Sequence, residues 1–186
     1  MAVLKFRVYV EEDNGIYRDI VIETTQRFID LHACILQSYN FDQKHQATFY
    51  RSNENWQRGR QISLEKYEDR SYRVDPLIMA DTVIGTEIKD TNQHFIYEYD
   101  FAKNWIFLIE LIGINKDADP KKQYPYISRT EGVGPQQYGA KSILSDQFID
   151  IEEKYDLDKN AEGFESEGDS DQEQEDMSED YEDDDL

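Results

Sequence analysis

The residues best suited to metal or acid–base chemistry are the three histidines, His32, His45 and His94, together with the carboxylates Asp42 and Asp100. Imidazole and carboxylate ligands suit zinc or manganese. No two of these residues have the local spacing of a metal motif, so only the fold could bring them together. A metal-dependent enzyme that uses His32, His45 and Asp100 is therefore one hypothesis for the function of this chain.

Motifs for covalent catalysis or phosphate binding are missing from the sequence. It contains neither a G-x-S-x-G nucleophile elbow nor a G-x-x-x-x-G-K-[ST] loop. The single cysteine, Cys34, lies on a predicted helix and is interpreted as a small buried hydrophobic residue. We predict no cofactor. One cysteine and a first segment without an apolar signal-peptide core favour a cytoplasmic protein.

Aromatic residues offer a different chemistry, because their rings can anchor a protein partner or stack on nucleic-acid bases. They make up 13% of the chain. Two interpretations are open: an aromatic-rich core of a small domain, or a contact surface. Under the second interpretation, the candidate binding residues, one of them a carboxylate, are Tyr97, Tyr99, Asp100, Trp105, Tyr124, Tyr126 and Tyr138. The adjoining residues 115–140 hold three of the four prolines and are predicted to form a long contact loop for a protein partner.

Charge divides the chain into a mildly acidic body and a strongly acidic tail. The net charge is 20 − 41 = −21, and residues 160–186 hold 14 acids and no bases, which leaves 20 − 27 = −7 for residues 1–159. The tail, taken as residues 151–186, is predicted to be disordered. It would keep the domain soluble, dock a basic partner, or screen the one basic cluster of the body, near Arg58.

The same balance argues against nucleic acid and membranes as partners. A generally basic nucleic-acid binder and a polybasic membrane-surface protein are both excluded by a net charge of −21. No stretch approaches the ~18 consecutive apolar residues of a membrane span.

Hydrophobic periodicity outlines an α+β domain. Alternating residues predict a hairpin of strands 3–10 and 16–23 with its turn at Asn14-Gly15. An amphipathic helix is predicted over 26–39 with its end at Asn40, and a strand over 46–51.

The second half of the chain contains the strongest pair of predicted strands, 94–100 and 104–114. Because the second of these is apolar on both faces, it should be central in its sheet. Short helices are predicted at Pro76–Ala80 and Asp81–Ile84, and a last helix at 141–155.

Four blocks of the sequence resemble, in the same order, the motifs of a known family. They are Ile16-Tyr17-Arg18-Asp19-Ile20, Leu31-His32 with Ile35 ahead of Phe41-Asp42 and His45, Tyr97-Glu98-Tyr99-Asp100-Phe101-Ala102-Lys103-Asn104-Trp105, and Tyr124-Pro125 followed by Tyr138-Gly139. The chain resembles the Ri-plasmid ORF-three-like family, also met as a passenger protein of insertion elements, over roughly residues 3–150. The resemblance implies an α+β fold with a mostly antiparallel sheet and no established activity.

The chain departs from the family pattern at three places, one of which is Ile106-Phe107, where the family has a His shortly after its Trp. Ala102-Lys103 replaces a Gly-Asp turn, and Gly134-Pro135-Gln136-Gln137 replaces a loop that carries Cys and Glu-Asp in the family. Any family site built from those groups would be incomplete here.

Taken together, the residues predict a single α+β domain over 1–150 and an acidic tail over 151–186. The leading hypothesis is a non-catalytic binding module of plasmid or mobile-element type, with the aromatic face and the 115–140 loop as its contact surface. The metal-dependent enzyme is the alternative.

Overall fold

The computed structural model describes residues 2–68, 70, 72 and 74–139. They belong to one compact unit, Met1–Leu144. The helix predicted over 141–155 and the acidic tail predicted over 151–186 lie outside the described residues. The domain boundary at residue 150 stays a prediction.

The described residues contain eight strands, which form one sheet. They are β1 (Val3–Val10), β2 (Asp13–Glu23), β3 (Ala47–Ser52), β4 (Gln61–Ser63), β5 (Leu77–Ile78), β6 (His94–Tyr99), β7 (Trp105–Asn115) and β8 (Tyr126–Glu131). Their order across the sheet is β5-β4-β3-β6-β7-β1-β2-β8. Every neighbouring pair is antiparallel except β4 and β5, which are parallel. The predicted α+β class with a mostly antiparallel sheet is confirmed.

One face of this sheet packs against helix α1 (Phe28–Ser38). The side chains that alternate inward on β1, from Leu4 to Val10, are buried in the same apolar cluster as Phe28, Leu31 and Ile35 of the helix. The Phe28 ring meets rings from β3 and β6 at centroid distances of 5.2 and 5.4 Å, both edge-on. A four-residue helix, α2, follows at Ile84–Glu87. No helix in the described part of the chain is long and apolar enough to cross a membrane.

The first hairpin forms as predicted, but its turn lies closer to β1 than the sequence suggested. Val10 pairs with Asp13, so the chain turns between them, and the Asn14-Gly15 pair belongs to strand β2. The Asp13 side chain accepts a hydrogen bond from the Gly15 amide at 2.8 Å. The register therefore jumps after Tyr9, which the sequence alternation alone could not reveal.

The predicted helix at Pro76–Ala80 is wrong. Leu77 and Ile78 form strand β5, because their backbone pairs with Ile62 and Ser63 of β4. A short apolar run has no clear periodicity, so a tertiary partner decides its conformation. The next predicted helical turn, at Asp81–Ile84, lies further along the chain in the structure, because helix α2 begins at Ile84.

Strand β7 occupies the central position predicted for it, fifth of the eight strands. Its inward residues, Phe107, Ile109 and Leu111, are buried, whereas Ile112 on the other face is 41% exposed. On that outer face, a buried carboxylate, Asp19, accepts bonds from Arg7 at 2.7 Å and Lys5 at 3.1 Å. Burial opposes the charge of Asp19, but these two cations outweigh burial and lower its pKa.

A residue in the left-handed conformation follows helix α1 and directs the chain towards the candidate site. Asn40 has φ +58°, and it follows the helix at the position where Gly or Asn is favoured. The amide of Phe41 donates to the Leu36 carbonyl at 2.8 Å, and the amide of Asn40 donates to the Gln37 carbonyl at 3.2 Å. The sequence-based end of the helix at Asn40 is therefore confirmed.

This geometry predicts that replacements of Asn40 differ by backbone strain alone. Ala at a left-handed position costs about 1 kcal/mol or more, whereas Gly adopts it freely. We expect Asn40→Ala to lower the free energy of unfolding by about 1 kcal/mol, and Asn40→Gly to change it by less than about half that amount. Urea unfolding followed by tryptophan fluorescence measures both, and equal stability of the two variants would contradict the assignment.

Candidate functional site

The structure does not place the predicted aromatic residues on one surface, so the single aromatic face is a wrong prediction. Tyr97 and Tyr99 alternate inward on β6 and are fully buried. Their rings stack on each other, and the Tyr97 ring lies 4.4 Å from that of Phe49. These two tyrosines belong to the aromatic core, which was the other interpretation of the sequence.

The other aromatic candidates lie at three separate places. Trp105 is half-buried and packs edge-on against Phe41 at 5.0 Å. Tyr124 and Tyr126 pack together at 5.4 Å at the start of β8 and line a pocket of about 310 Å³ with Ile114. Tyr138 lies elsewhere, over Asp42.

The three residues of the metal hypothesis do not converge among the described residues. His32 is buried, and its Nδ1 lies 2.7 Å from the Tyr97 hydroxyl. Burial lowers the pKa of His32 to about 4, so the ring is neutral near pH 7. His45 directs Nε2 towards Asp42 and Nδ1 towards Asp100, each at 3.7 Å. The two carboxylates therefore lie against opposite nitrogens of one ring, and no group of three potential ligands forms in the described part of the chain.

The basic cluster of the sequence is largely neutralised by carboxylates. Arg51 pairs with Glu87 at 2.8 Å, and Arg58 pairs with Glu98 at 2.5 Å. Lys66 pairs with an aspartate at 2.8 Å. Little cationic charge is left there for phosphate groups.

The largest concentration of polar contacts surrounds the carboxylate of Asp42. It accepts hydrogen bonds from the hydroxyls of Tyr99, at 2.6 Å, and Tyr138, and from Gln137 Nε2 at 2.9 Å. The Tyr138 oxygen also lies 3.0 Å from His45 Nε2, which can donate to it. We call Asp42, His45, Tyr99, Gln137 and Tyr138 the Asp42 cluster.

Electrostatics fix the protonation states within the Asp42 cluster. Burial opposes ionisation of Asp42, but the bonds from Tyr138, Tyr99 and Gln137 outweigh it and hold its pKa well below the usual value. The bond to Asp42 raises the pKa of Tyr138 to about 12. Burial, followed by the same carboxylate, raises the pKa of Tyr99. The carboxylate is thus charged and both hydroxyls are protonated near neutral pH.

These contacts hold the segment that follows β8 against the rest of the fold. We call residues 132–139 the closing loop. Gln137 accepts from the Asp42 amide at 2.8 Å while its own amide group donates to the Asp42 side chain. Lys103 donates to the Gln137 carbonyl at 3.2 Å, and its ammonium lies 4.3 Å from the Tyr138 ring centre. The turn after β6 therefore also binds the closing loop.

A pocket of about 450 Å³ opens between the end of α1 and the closing loop. It is lined mostly by apolar atoms, with Arg18, Tyr39, Asn40, Asp42 and residues 133–139 as its walls. We call it the Arg18 pocket. Its size and its mixture of apolar walls with a few polar groups are typical of small-ligand sites.

Three of the seven predicted binding residues are thereby brought to one place, since Tyr99 and Tyr138 bind Asp42 while Asp100 faces His45. Asp100 is buried and has φ +52°, so it also shapes the turn after β6. Sequence reasoning missed Arg18 and Gln137 as site residues. Two signals were available for Arg18, since it stands inside the first block of the family resemblance and at an alternate position between Ile16 and Ile20.

Comparisons with known proteins agree on the fold. A family model described as "Plasmid pRiA4b ORF-3-like protein" matches residues 2–142. Among solved structures, the chain is similar to a protein of unknown function from Methanosarcina mazei Go1, with a TM-score of 0.63 and 16% identity over 82% of each chain. The comparison with curated proteins finds no match.

The Asp42 cluster predicts a specific dependence of stability on pH. Because the pKa of Asp42 is lower in the folded chain than the ordinary value of 3.8, its stabilising contribution is complete above about pH 4 and is lost as the pH falls towards the folded-state pKa. We expect Asp42→Asn to be less stable than wild type at pH 6 and the difference to shrink at pH 3. Urea unfolding at both pH values measures it, and a difference independent of pH would contradict the role of the charge.

The burial of Tyr97 predicts a stability effect rather than a binding effect. Tyr97→Phe leaves the His32 ring nitrogen without its partner, which costs about 1–3 kcal/mol for a buried polar group. The matched control is Tyr126→Phe, since the Tyr126 hydroxyl accepts from an exposed lysine and should matter by less than about 0.5 kcal/mol. Thermal unfolding of both variants decides between them, and equal effects would contradict the core assignment.

Proposed function

The chain belongs to the plasmid pRiA4b ORF-3-like family, and we propose that it is a non-catalytic binding module that takes a small ligand into the Arg18 pocket. The observation that carries the proposal is the pocket itself, with a volume of about 450 Å³ and mostly apolar walls. Pockets of this size and composition bury most of the surface of a small organic molecule.

The way in which the pocket is built supports binding with little rearrangement. One wall is the closing loop, which four hydrogen bonds tie to Asp42 and Lys103. The opposite wall is the end of α1, where Tyr39 is buried and donates to the Val8 carbonyl at 2.9 Å. Because both walls are fixed before a ligand arrives, binding would pay little ordering entropy.

The protonation states of the neighbouring groups support binding rather than catalysis. An effective general acid or base has a pKa near the working pH. In the Asp42 cluster the pKa of the carboxyl is lowered and the pKa of Tyr138 is raised to about 12, so both move away from neutrality. Their arrangement suits the holding of a loop in one position.

Two further sequence-based hypotheses stay predictions beside this one. They are a protein partner for residues 115–140, which contain strand β8 rather than the one long loop that was predicted, and a basic partner for the acidic tail. Neither is needed for a ligand in the Arg18 pocket.

The proposal predicts that a side chain built into the pocket blocks binding. The Cβ of a residue replacing Gly134 would lie 3.2 Å from the Tyr39 ring and 3.3 Å from Arg18 Nη2. Gly134→Leu should therefore fill the space and shift these neighbours slightly. The matched control is Gly113→Leu on β7, whose Cβ would meet Lys5 at an ordinary 3.7 Å, away from the pocket.

The measurement is a fragment screen of the full chain by two-dimensional NMR, with acidic, basic and neutral fragments. We expect hits that perturb the amides of Tyr39, Asn40 and residues 133–139. These hits should be lost in Gly134→Leu and kept in Gly113→Leu. Fragments of every charge that leave those amides unperturbed, or hits equally strong in Gly134→Leu, would overturn the proposal.

A further inference from the structure

Arg18 is a buried cation that forms no ion pair with any carboxylate in the described part of the chain. It lies on β2 and is 4% exposed. Two other arginines of the described residues do pair with buried carboxylates, Arg7 with Asp19 and Arg58 with Glu98. None of the ion pairs among the described residues involves Arg18. A charge removed from water normally requires a partner of opposite charge, because desolvation costs several kcal/mol.

Backbone carbonyls accept hydrogen bonds from two of the three nitrogens of the Arg18 guanidinium. Its Nε donates to the Ser38 carbonyl at the end of α1 at 3.0 Å. Its Nη1 donates to the carbonyls of Tyr17 at 2.9 Å and Glu131 at 2.7 Å, with Gly132 further away at 3.4 Å. These bonds tie α1 to β8 through two of the three nitrogens. The third, Nη2, makes no hydrogen bond to any residue that the structure describes.

The free nitrogen lies at the wall of the Arg18 pocket. A Cβ on Gly134 would stand 3.3 Å from Nη2, and Gly134 and Arg18 both line the pocket. The Tyr39 ring lies against the guanidinium, with its centre 4.5 Å from the guanidinium carbon. The two N–H groups of Nη2 are thus held in place beside an open volume.

We propose that the Arg18 pocket binds a small organic monocarboxylate, whose oxygens accept hydrogen bonds from Arg18 Nη2. This inference rests on the proposed function, since it names the ligand class of the same pocket. The apolar body of the ligand lies against Tyr39, Val133 and Pro135, which form much of the lining. The carboxylate supplies the negative charge that the buried guanidinium lacks.

Two features of the pocket favour a monocarboxylate over inorganic phosphate. The mostly apolar lining offers few donors for the additional oxygens of a phosphate. Asp42 lines the same pocket and stays ionised, because its hydrogen bonds lower its pKa, so a doubly charged anion would be repelled. A single charge satisfies Nη2 with less repulsion.

The first test compares ligands on the unchanged full-length protein, which removes any question of folding. The probes are phenylacetate, its uncharged isostere phenylacetamide, phenylethylammonium and inorganic phosphate, each titrated by calorimetry and NMR at pH 7. We expect phenylacetate to bind about 10- to 100-fold more tightly than phenylacetamide, the range for a hydrogen bond to a charged group. Phenylethylammonium and phosphate should bind more weakly than phenylacetate.

The second test uses two glycines as a matched pair. Gly134→Ala places a methyl group beside Nη2 and should weaken phenylacetate binding about tenfold, whereas Gly113→Ala should leave it unchanged. If phenylacetate and phenylacetamide bind equally at residues 133–139, the carboxylate proposal is overturned and the proposed function stands. Tighter binding of phosphate or of phenylethylammonium would overturn it as well. If no fragment of any charge perturbs the pocket, both the carboxylate and the binding function fail.

Discussion

The carboxylate of Asp42 is the point at which three distant parts of the chain meet. It directly follows the turn that ends α1, it accepts from Tyr99 on β6, and it accepts from Gln137 and Tyr138 of the closing loop. Each of these donors would otherwise give its hydrogen bond to water. The pocket exists because this one acceptor fixes the closing loop at a set distance from the helix end.

In this arrangement Asp42 and Arg18 have different tasks, since Asp42 holds a loop and Arg18 keeps a nitrogen free at the pocket. The Asp42 carboxylate accepts hydrogen bonds from three side chains, two of which belong to the closing loop and are held in place by it. Arg18 holds α1 and β8 together with two nitrogens and keeps the third beside the open volume. Arg18 Nη2 is therefore free to donate to a ligand anion, even though the chain as a whole carries a charge of −21.

Much of the fold could be predicted from the sequence because its signals are local. Alternation identified β1, β6 and β7, helical spacing identified α1, and Asn40 marked its end. The strand β5 could not be found, since Leu77 and Ile78 become a strand only by pairing with β4. The turn of the first hairpin was misplaced because a shift of register after Tyr9 has no signature in the alternation of residues.

The candidate site was harder to predict than the fold, and the tyrosines show why. Alternation puts Tyr97 and Tyr99 on the same face of a strand, but it does not say whether that face meets the helix or water. The decisive fact, that α1 covers this face, is a property of the whole sheet. Asp100 and Tyr138 could be picked out as polar or aromatic residues. However, Asp100 meets His45 only through the pairing of β3 with β6, and Tyr138 meets Asp42 only through the path of the closing loop.

Arg18 shows the same limit of what the sequence can predict. In the sequence the alternation of β2 places it on the same face as Ile20 and Ile22, although a charged residue is normally expected to face water. The structure turns it inward, where the end of α1 and the carbonyls of β8 offer partial negative charge from their unpaired dipoles. Dipoles of this kind can hold a guanidinium in place, but they neutralise it less completely than a carboxylate does. The free Nη2 group is the basis of the proposed carboxylate binding. Its position arises from tertiary contacts rather than from a sequence motif.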